Sequence, residues 1–134
     1  MRIWTPVAIA VAAATAALVN LGAQVQSQPY SGSGDYQAYC SSCHGVDAKG
    51  DGSIAKSLKK KPADLTQLAK HNNGVFPRDK VFNIVDGRQG GAHGDSDMPQ
   101  WADVFAKSTE SPGADNAKAR INVLVEYLET LQAK

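Results

Sequence analysis

The chain has 134 residues, of which 43% are hydrophobic and 20% are charged, and its formal net charge is +1. This length and composition are typical of one globular domain of ordinary size. The near balance of charge excludes the domain-wide basic surface by which many proteins bind nucleic acid.

The first 23 residues predict an export signal. A basic start at Arg2 precedes an apolar, alanine-rich run from Ile3 to Leu21, and small residues lead to a cleavage site before Gln24. Because the run approaches the roughly 18 residues that a membrane span needs, an uncleaved anchor is the alternative. Either outcome carries the domain out of the cytoplasm. We expect cleavage, which would leave equal numbers of basic and acidic residues.

The mature chain begins with a polar segment. Residues 24–33 are rich in Gly, Ser and Gln and predict a flexible lead-in, and residues 34–134 form the domain. A helix is expected from about Gly34, because Asp35 in its first turn would interact favourably with the helix dipole.

The pentapeptide Cys40-Ser41-Ser42-Cys43-His44 holds both cysteines of the chain. C-x-x-C-H is the attachment signal for a c-type haem. Each thiol can add to one porphyrin vinyl group, and the adjacent imidazole then lies within reach of the iron. The sequence therefore predicts one covalently attached haem c.

Other interpretations of this motif are weaker. A disulfide across so short a loop would constrain the unfolded chain little. A thioredoxin-like redox pair is expected beside a βαβ pattern, which the sequence lacks. A structural zinc site needs four ligands, and only His71 and His93 remain to complete the set.

After the motif, glycines predict a loop between Gly45 and Asp51. Lysines then precede Pro62, at positions 56, 59, 60 and 61. Asp64 is expected to cap a short helix from Leu65 to Lys70.

Two longer helices are predicted in the second half of the chain. One spans Arg78 to Asp86 and ends at Gly87, and residues 88–98 form a glycine-rich loop. The other spans Asp115 to Gln132. Its apolar face is Ile121, Leu124, Tyr127, Leu128 and Leu131. No alternating strand pattern is present, so we expect helices alone.

A second axial ligand would make the haem an electron-transfer centre. Met1 leaves with the leader, so Met98 is the remaining thioether. Methionine/histidine ligation is typical of cytochromes c and raises the reduction potential. The competing ligand is His93 in the same loop. Without the haem motif, a lone methionine would be interpreted as a core side chain.

Together these features resemble the class I cytochromes c, over Gly32 to Gln132. The resemblance implies an all-α, cytochrome c-like fold, with several short helices and long loops around one haem and with crossing N- and C-terminal helices. It implies that Tyr36 packs against the C-terminal helix, that Gly32 lies at a close approach, and that Leu124 and Tyr127 are the contact residues opposite.

The resemblance also suggests residues around the cofactor. It implies that the carbonyl of Pro62 accepts a hydrogen bond from the other nitrogen of His44, which would fix the ring. It further implies that Arg88 and Trp101 reach the haem propionates. The alternatives are a solvated Arg88 and a Trp101 that is only part of the core.

The function expected on these grounds is that of a periplasmic electron carrier without catalytic residues. Its partners would be redox proteins: a donor dehydrogenase or cytochrome complex and an acceptor oxidase or reductase. The lysines before Pro62 either steer an acidic partner or form a solvated face. The alternative functions are a haem c subunit of a larger oxidoreductase or oxidase complex, an open-iron sensor or peroxidase-like protein, and a thiol–disulfide protein without haem.

Overall fold

The computed structural model describes residues 30–88, 97–109 and 112–133. Over these ranges all regular structure is helical and no strand is present, which confirms the all-α prediction. The helices are α1 (Gly32–Asp35), α2 (Ser41–His44), α3 (Arg78–Asp86), α4 (Trp101–Ala106) and α5 (Ala114–Thr130). The export signal, most of the lead-in and His93 lie outside the described residues. Of the helices described, none is both long and apolar enough to cross a bilayer.

The N-terminal helix carries the C-x-x-C-H motif. It begins at Gly32, two residues before the predicted start, and the Ser31 side chain caps it by accepting a hydrogen bond from the Gly34 N–H (3.1 Å). A π-helical turn, Tyr36–Cys40, joins α1 to α2, and within it the Ser41 N–H donates to the Tyr36 carbonyl. Such turns add one residue to a helix and occur frequently at functional sites.

Helices α1 and α5 approach each other closely. A Cβ atom at position 32 would lie 2.5 Å from the Val123 carbonyl oxygen and 2.6 Å from Tyr127 Cβ, so only glycine fits there. The Tyr36 side chain is fully buried, and its ring centroid lies 5.7 Å from that of Tyr127. Leu124 is buried beside them. The predicted contact between the terminal helices is therefore confirmed.

Helix α5 forms the centre of the core and packs against α1, α3 and α4. Its buried apolar residues are Ala117, Ile121, Leu124, Val125 and Leu128. Tyr127 and Leu131, which the sequence placed on this face, are only partly buried.

The remaining elements agree with the sequence in part. Helix α3 has the predicted bounds, and Gly87 ends it in the left-handed conformation with φ 76°. The predicted helix from Leu65 to Lys70 is wrong, because the Asp64 side chain caps only a single 3-10 turn (2.9 Å to the Thr66 N–H). The 3-10 turns are Ala55–Ser57, Leu65–Gln67 and Lys70–Asn72. Helix α4 was not predicted.

Candidate functional site

A cavity of about 310 Å³ lies between the end of the N-terminal helix, α3, α5 and the segment that begins α4. Its lining brings together the predicted site residues Cys40, Cys43, His44, Met98 and Trp101. Half of the remaining lining residues are Leu, Ile or Val side chains from several elements: Leu58, Leu65, Leu68, Val81, Ile84, Val85 and Leu128. The cavity is within the size range of cofactor sites, which are mostly apolar with a few placed polar groups.

The loop after the motif holds the end of α2 in place. It folds back so that its N–H groups satisfy the terminal carbonyls of the helix, which have no partner within it. The bonds are Gly50 N–H to His44 O (2.7 Å), Gly52 N–H to Cys43 O (3.1 Å) and Ile54 N–H to Ser42 O (3.1 Å). A side chain at Gly52 would overlap the Ser42 carbonyl, so this close return requires glycine. The glycines that predicted a loop therefore position the motif.

His44 presents one defined nitrogen to the cavity. Its Nδ1 lies 3.0 Å from the Ala63 carbonyl oxygen, and since a carbonyl can only accept, Nδ1 carries the proton and Nε2 keeps the lone pair. Burial lowers the pKa of His44, while the hydrogen bond to Ala63 acts in the opposite direction. The imidazole is therefore held neutral and oriented, as a metal ligand requires.

The predicted role of Pro62 is wrong by one residue. The carbonyl that accepts from His44 belongs to Ala63. The Pro62 carbonyl lies against Gly50, where a Cβ atom would overlap it, and Pro62 itself contributes to the cavity lining. The hydrogen bond expected for His44 is present, but its acceptor is the next residue along the chain.

Both cysteines are free thiols, and Cys40 lacks the lowered pKa of a redox-active cysteine. Burial, followed by the negative charge of Asp35, raises the pKa of the Cys40 thiol to about 12. Thiol–disulfide proteins instead lower the pKa of the attacking cysteine. Among the described residues, no group of three or more His, Cys, Asp or Glu side chains could hold a metal ion, which leaves structural zinc unsupported there.

Met98 and Trp101 belong to the chain segment that leads into α4 and forms one wall of the cavity. Met98 is partly buried and packs against the core. Trp101 is 8% exposed, and its ring stacks on Phe105 at 5.7 Å and meets Tyr39 edge-on at 5.6 Å. Trp101 thus belongs both to the cavity wall and to the core.

Arg88 lies outside the cavity lining. Its guanidinium donates two hydrogen bonds to the Asp86 carboxylate, at 2.9 and 2.7 Å, and its side chain is 44% exposed. The structure thus gives Arg88 a protein partner and a solvated surface, and its contact with a propionate stays a prediction. Of the predicted lysines, Lys60 and Lys61 line the cavity.

A buried ion pair beside the site was missed by the sequence analysis. Arg120 binds Asp35 through two hydrogen bonds, of 2.8 and 2.6 Å, between α5 and α1. The guanidinium also lies 4.4 Å from the ring centroid of Phe105 and 5.3 Å from that of Tyr39, which lines the cavity. The available signal was the position of Arg120, four residues before Leu124 on the predicted buried face.

Comparison with known families agrees with this geometry. The family model described as cytochrome c oxidase, cbb3-type, subunit III, matches residues 27–110, more than half of the chain. Searches of curated proteins and of solved structures gave no significant match. The family implies a covalently bound haem c with its iron. Two sulfurs, an oriented neutral imidazole and a thioether around one apolar cavity are a donor set that fits this cofactor. The chain therefore belongs to the cbb3-type cytochrome c oxidase subunit III family and is a c-type cytochrome with a role in electron transfer.

Proposed function

We propose that this protein carries single electrons on the periplasmic side of the membrane through a haem ligated by His44 and Met98. The observation that carries the proposal is that both side chains line the same cavity as Cys40 and Cys43. When bound, haem c supplies an iron that changes between the ferrous and ferric states.

Each of these residues has a separate task. The Cys40 and Cys43 sulfurs form the thioethers, so the group cannot dissociate. His44 offers Nε2 while Ala63 holds the ring from the other side. Met98 offers a soft sulfur, which favours the reduced state and raises the potential. The aliphatic lining excludes water, which would otherwise stabilise the more highly charged state.

The lysines at the cavity support docking of an acidic redox partner. Lys60 and Lys61 line the cavity, and both are exposed. Clustered charge of one sign raises the association rate of a partner with the opposite sign. Lys60→Glu with Lys61→Glu should slow electron transfer at low ionic strength, and added salt should shrink the difference. Lys80→Glu, an exposed lysine on α3, is the matched control, and equal rates for all variants would refute the steering role.

A second candidate function is that of a haem c subunit held permanently in an oxidase complex. The family match favours it, since the family is described as subunit III of a cbb3-type oxidase. The two functions differ in what is purified. A freely diffusing carrier is recovered alone from the periplasmic fraction, whereas a subunit is recovered with further chains from the membrane fraction.

The decisive experiment on ligation is an absorption spectrum of the matured protein in both redox states. We expect a c-type α-band on reduction, a weak methionine–iron charge-transfer band on oxidation, and a tetrapyrrole mass that survives denaturation. Met98→Ala should keep the covalent haem, lose the charge-transfer band and lower the potential, whereas His71→Ala, the matched control, should change nothing. If His93→Ala gives the losses expected of Met98→Ala, then His93 is the sixth ligand.

Export is tested on the same material. The mass of the mature chain should correspond to a start at Gln24. A full-length, membrane-bound product would show that the leader stays as an anchor.

A further inference from the structure

The Asp97 side chain connects the segment that carries Met98 to the opposite side of the cavity rim. Asp97 lies next to Met98, and its Oδ2 accepts a hydrogen bond of 2.8 Å from the backbone N–H of Lys59, 38 residues earlier in the chain. Both ends of this bond belong to the rim, because Asp97 and the neighbours of Lys59, Leu58 and Lys60, line the cavity. The bond therefore joins the two chain segments that face each other there.

On its other side the same segment is attached to α3 and to the core. Gln100 packs against Gly87 at the end of α3, closely enough that a Cβ atom on Gly87 would lie 2.9 Å from Gln100 Cα. Trp101 follows and is buried in the core. Met98 thus lies between a firmly packed attachment at Gln100–Trp101 and the hydrogen bond at Asp97.

We infer that Asp97 is a positioning residue that holds the Met98 sulfur over the cavity by binding the main chain at Lys59. The inference rests on the ligation proposed above. A carboxylate suits this task because a hydrogen bond to an ionised acceptor is about twice as strong as a neutral one. A main-chain donor suits it as well, because an N–H group is fixed by the backbone, whereas a lysine ammonium is mobile. Without the bond, the segment loses its hydrogen bond to the opposite rim, and Met98 yields more readily to a competing ligand.

The test is competition by imidazole for the ferric protein, measured together with the methionine–iron charge-transfer band. A hydrogen bond of ordinary net strength changes such an equilibrium by about three- to tenfold. Asp97→Ala should therefore bind imidazole about three- to tenfold more tightly than wild type and show a weaker band. Asp97→Asn keeps an acceptor oxygen and should fall between the two.

Two control variants separate the hydrogen bond from charge. Lys59→Ala keeps the backbone N–H and removes the ammonium, so it should match wild type. If it behaves like Asp97→Ala, the segment is held by a charge pair with the Lys59 ammonium, and the inference is wrong. Asp115→Ala removes another exposed carboxylate, at the start of α5, and should also match wild type. A normal band with unchanged imidazole affinity in Asp97→Ala would overturn the inference alone. A wild-type protein without the band would overturn the ligation and the inference with it.

Discussion

The ion pair between Asp35 and Arg120 gives the sharpest stability prediction. It is almost completely buried, with exposed side-chain fractions of 5% and 3%, and its two hydrogen bonds join α1 to α5. The hydrogen bonds to the Asp35 carboxylate raise the pKa of Arg120 further above its ordinary value, so the arginine is charged. Removing Asp35 therefore takes from a buried cation the carboxylate that binds it through two hydrogen bonds.

The expected loss is large relative to total stability. Breaking a buried pair by removing one partner costs about 3–5 kcal/mol, whereas a domain is stable by about 5–15 kcal/mol in all. Asp35→Ala should therefore lower the free energy of unfolding by about 3–5 kcal/mol. Replacing both partners, as in Asp35→Leu with Arg120→Met, should recover most of this loss, since no unpaired charge remains. The recovery is incomplete because the guanidinium also stacks on Phe105, a contact worth about 0.5–2 kcal/mol.

The assay is guanidinium unfolding of the oxidised holoprotein, followed by far-UV circular dichroism and arranged as a double-mutant cycle. The pair Arg78–Glu129 is the control, because its atoms are at a similar distance, 2.7 Å, but its side chains are 41% and 46% exposed. Exposed pairs contribute about 0–1 kcal/mol. If Asp35→Ala lowers the free energy of unfolding no more than Glu129→Ala does, burial does not determine the strength of the ion pair. The same follows if the loss in the double variant equals the sum of the losses in the two single variants.

Three further changes test other contacts by the same unfolding assay. Gly32→Ala forces a Cβ atom to within 2.5 Å of a carbonyl oxygen of α5 and should cost about 1–3 kcal/mol by overpacking; an unchanged midpoint would mean that the helices can separate freely. Tyr36→Phe removes the hydroxyl that donates to the Gly45 carbonyl at 2.5 Å and should cost about 1 kcal/mol, so a neutral result would show that water replaces the bond. The hydrogen bonds from Arg88 lower the pKa of Asp86 below its ordinary value of 3.8. The ionised Asp86 carboxylate therefore adds to the free energy of unfolding above pH 3.8, and this contribution is lost as the pH falls through the pKa of the folded state. The stability advantage of wild type over Asp86→Asn should accordingly shrink below about pH 4, and an advantage that grows on acidification would reverse the sign of the argument.

The chemistry of the site was predictable because it is local. Five consecutive residues contain both sulfurs and the imidazole, and their spacing along the chain already limits their geometry. Met98 was predicted as the second ligand by elimination, because the other methionine lies in the expected export signal, and this ligation stays a prediction. The bounds of α3 were predicted for a similar reason, since Gly87 requires the left-handed conformation that ends the helix.

Two features that the sequence did not predict correctly, the acceptor of His44 and helix α4, depend on tertiary packing. The Pro62 carbonyl and the Ala63 carbonyl are adjacent in sequence and both lie near Gly50, and it is the Ala63 carbonyl that faces His44. Helix α4 has only six residues, and the single i, i+4 pair that it buries, Trp101 and Phe105, is too short a pattern to predict a helix. Residue spacing alone therefore predicts neither the acceptor of His44 nor helix α4.

The π-helical turn, Tyr36–Cys40, is a local feature that joins two residues with tertiary contacts. In this turn the Ser41 N–H donates to the Tyr36 carbonyl. The Gln37 carbonyl, which would accept from that N–H in a regular α-helix, accepts a hydrogen bond from the Ser41 hydroxyl instead (2.7 Å). The turn follows Asp35, which pairs with Arg120 of α5, and ends at Cys40, which lines the cavity. A regular helix would rotate one of these residues relative to the other. The ordinary spacing rules predict a helix at this point but do not show the inserted residue, because a π-helical turn has no spacing pattern of its own in the sequence.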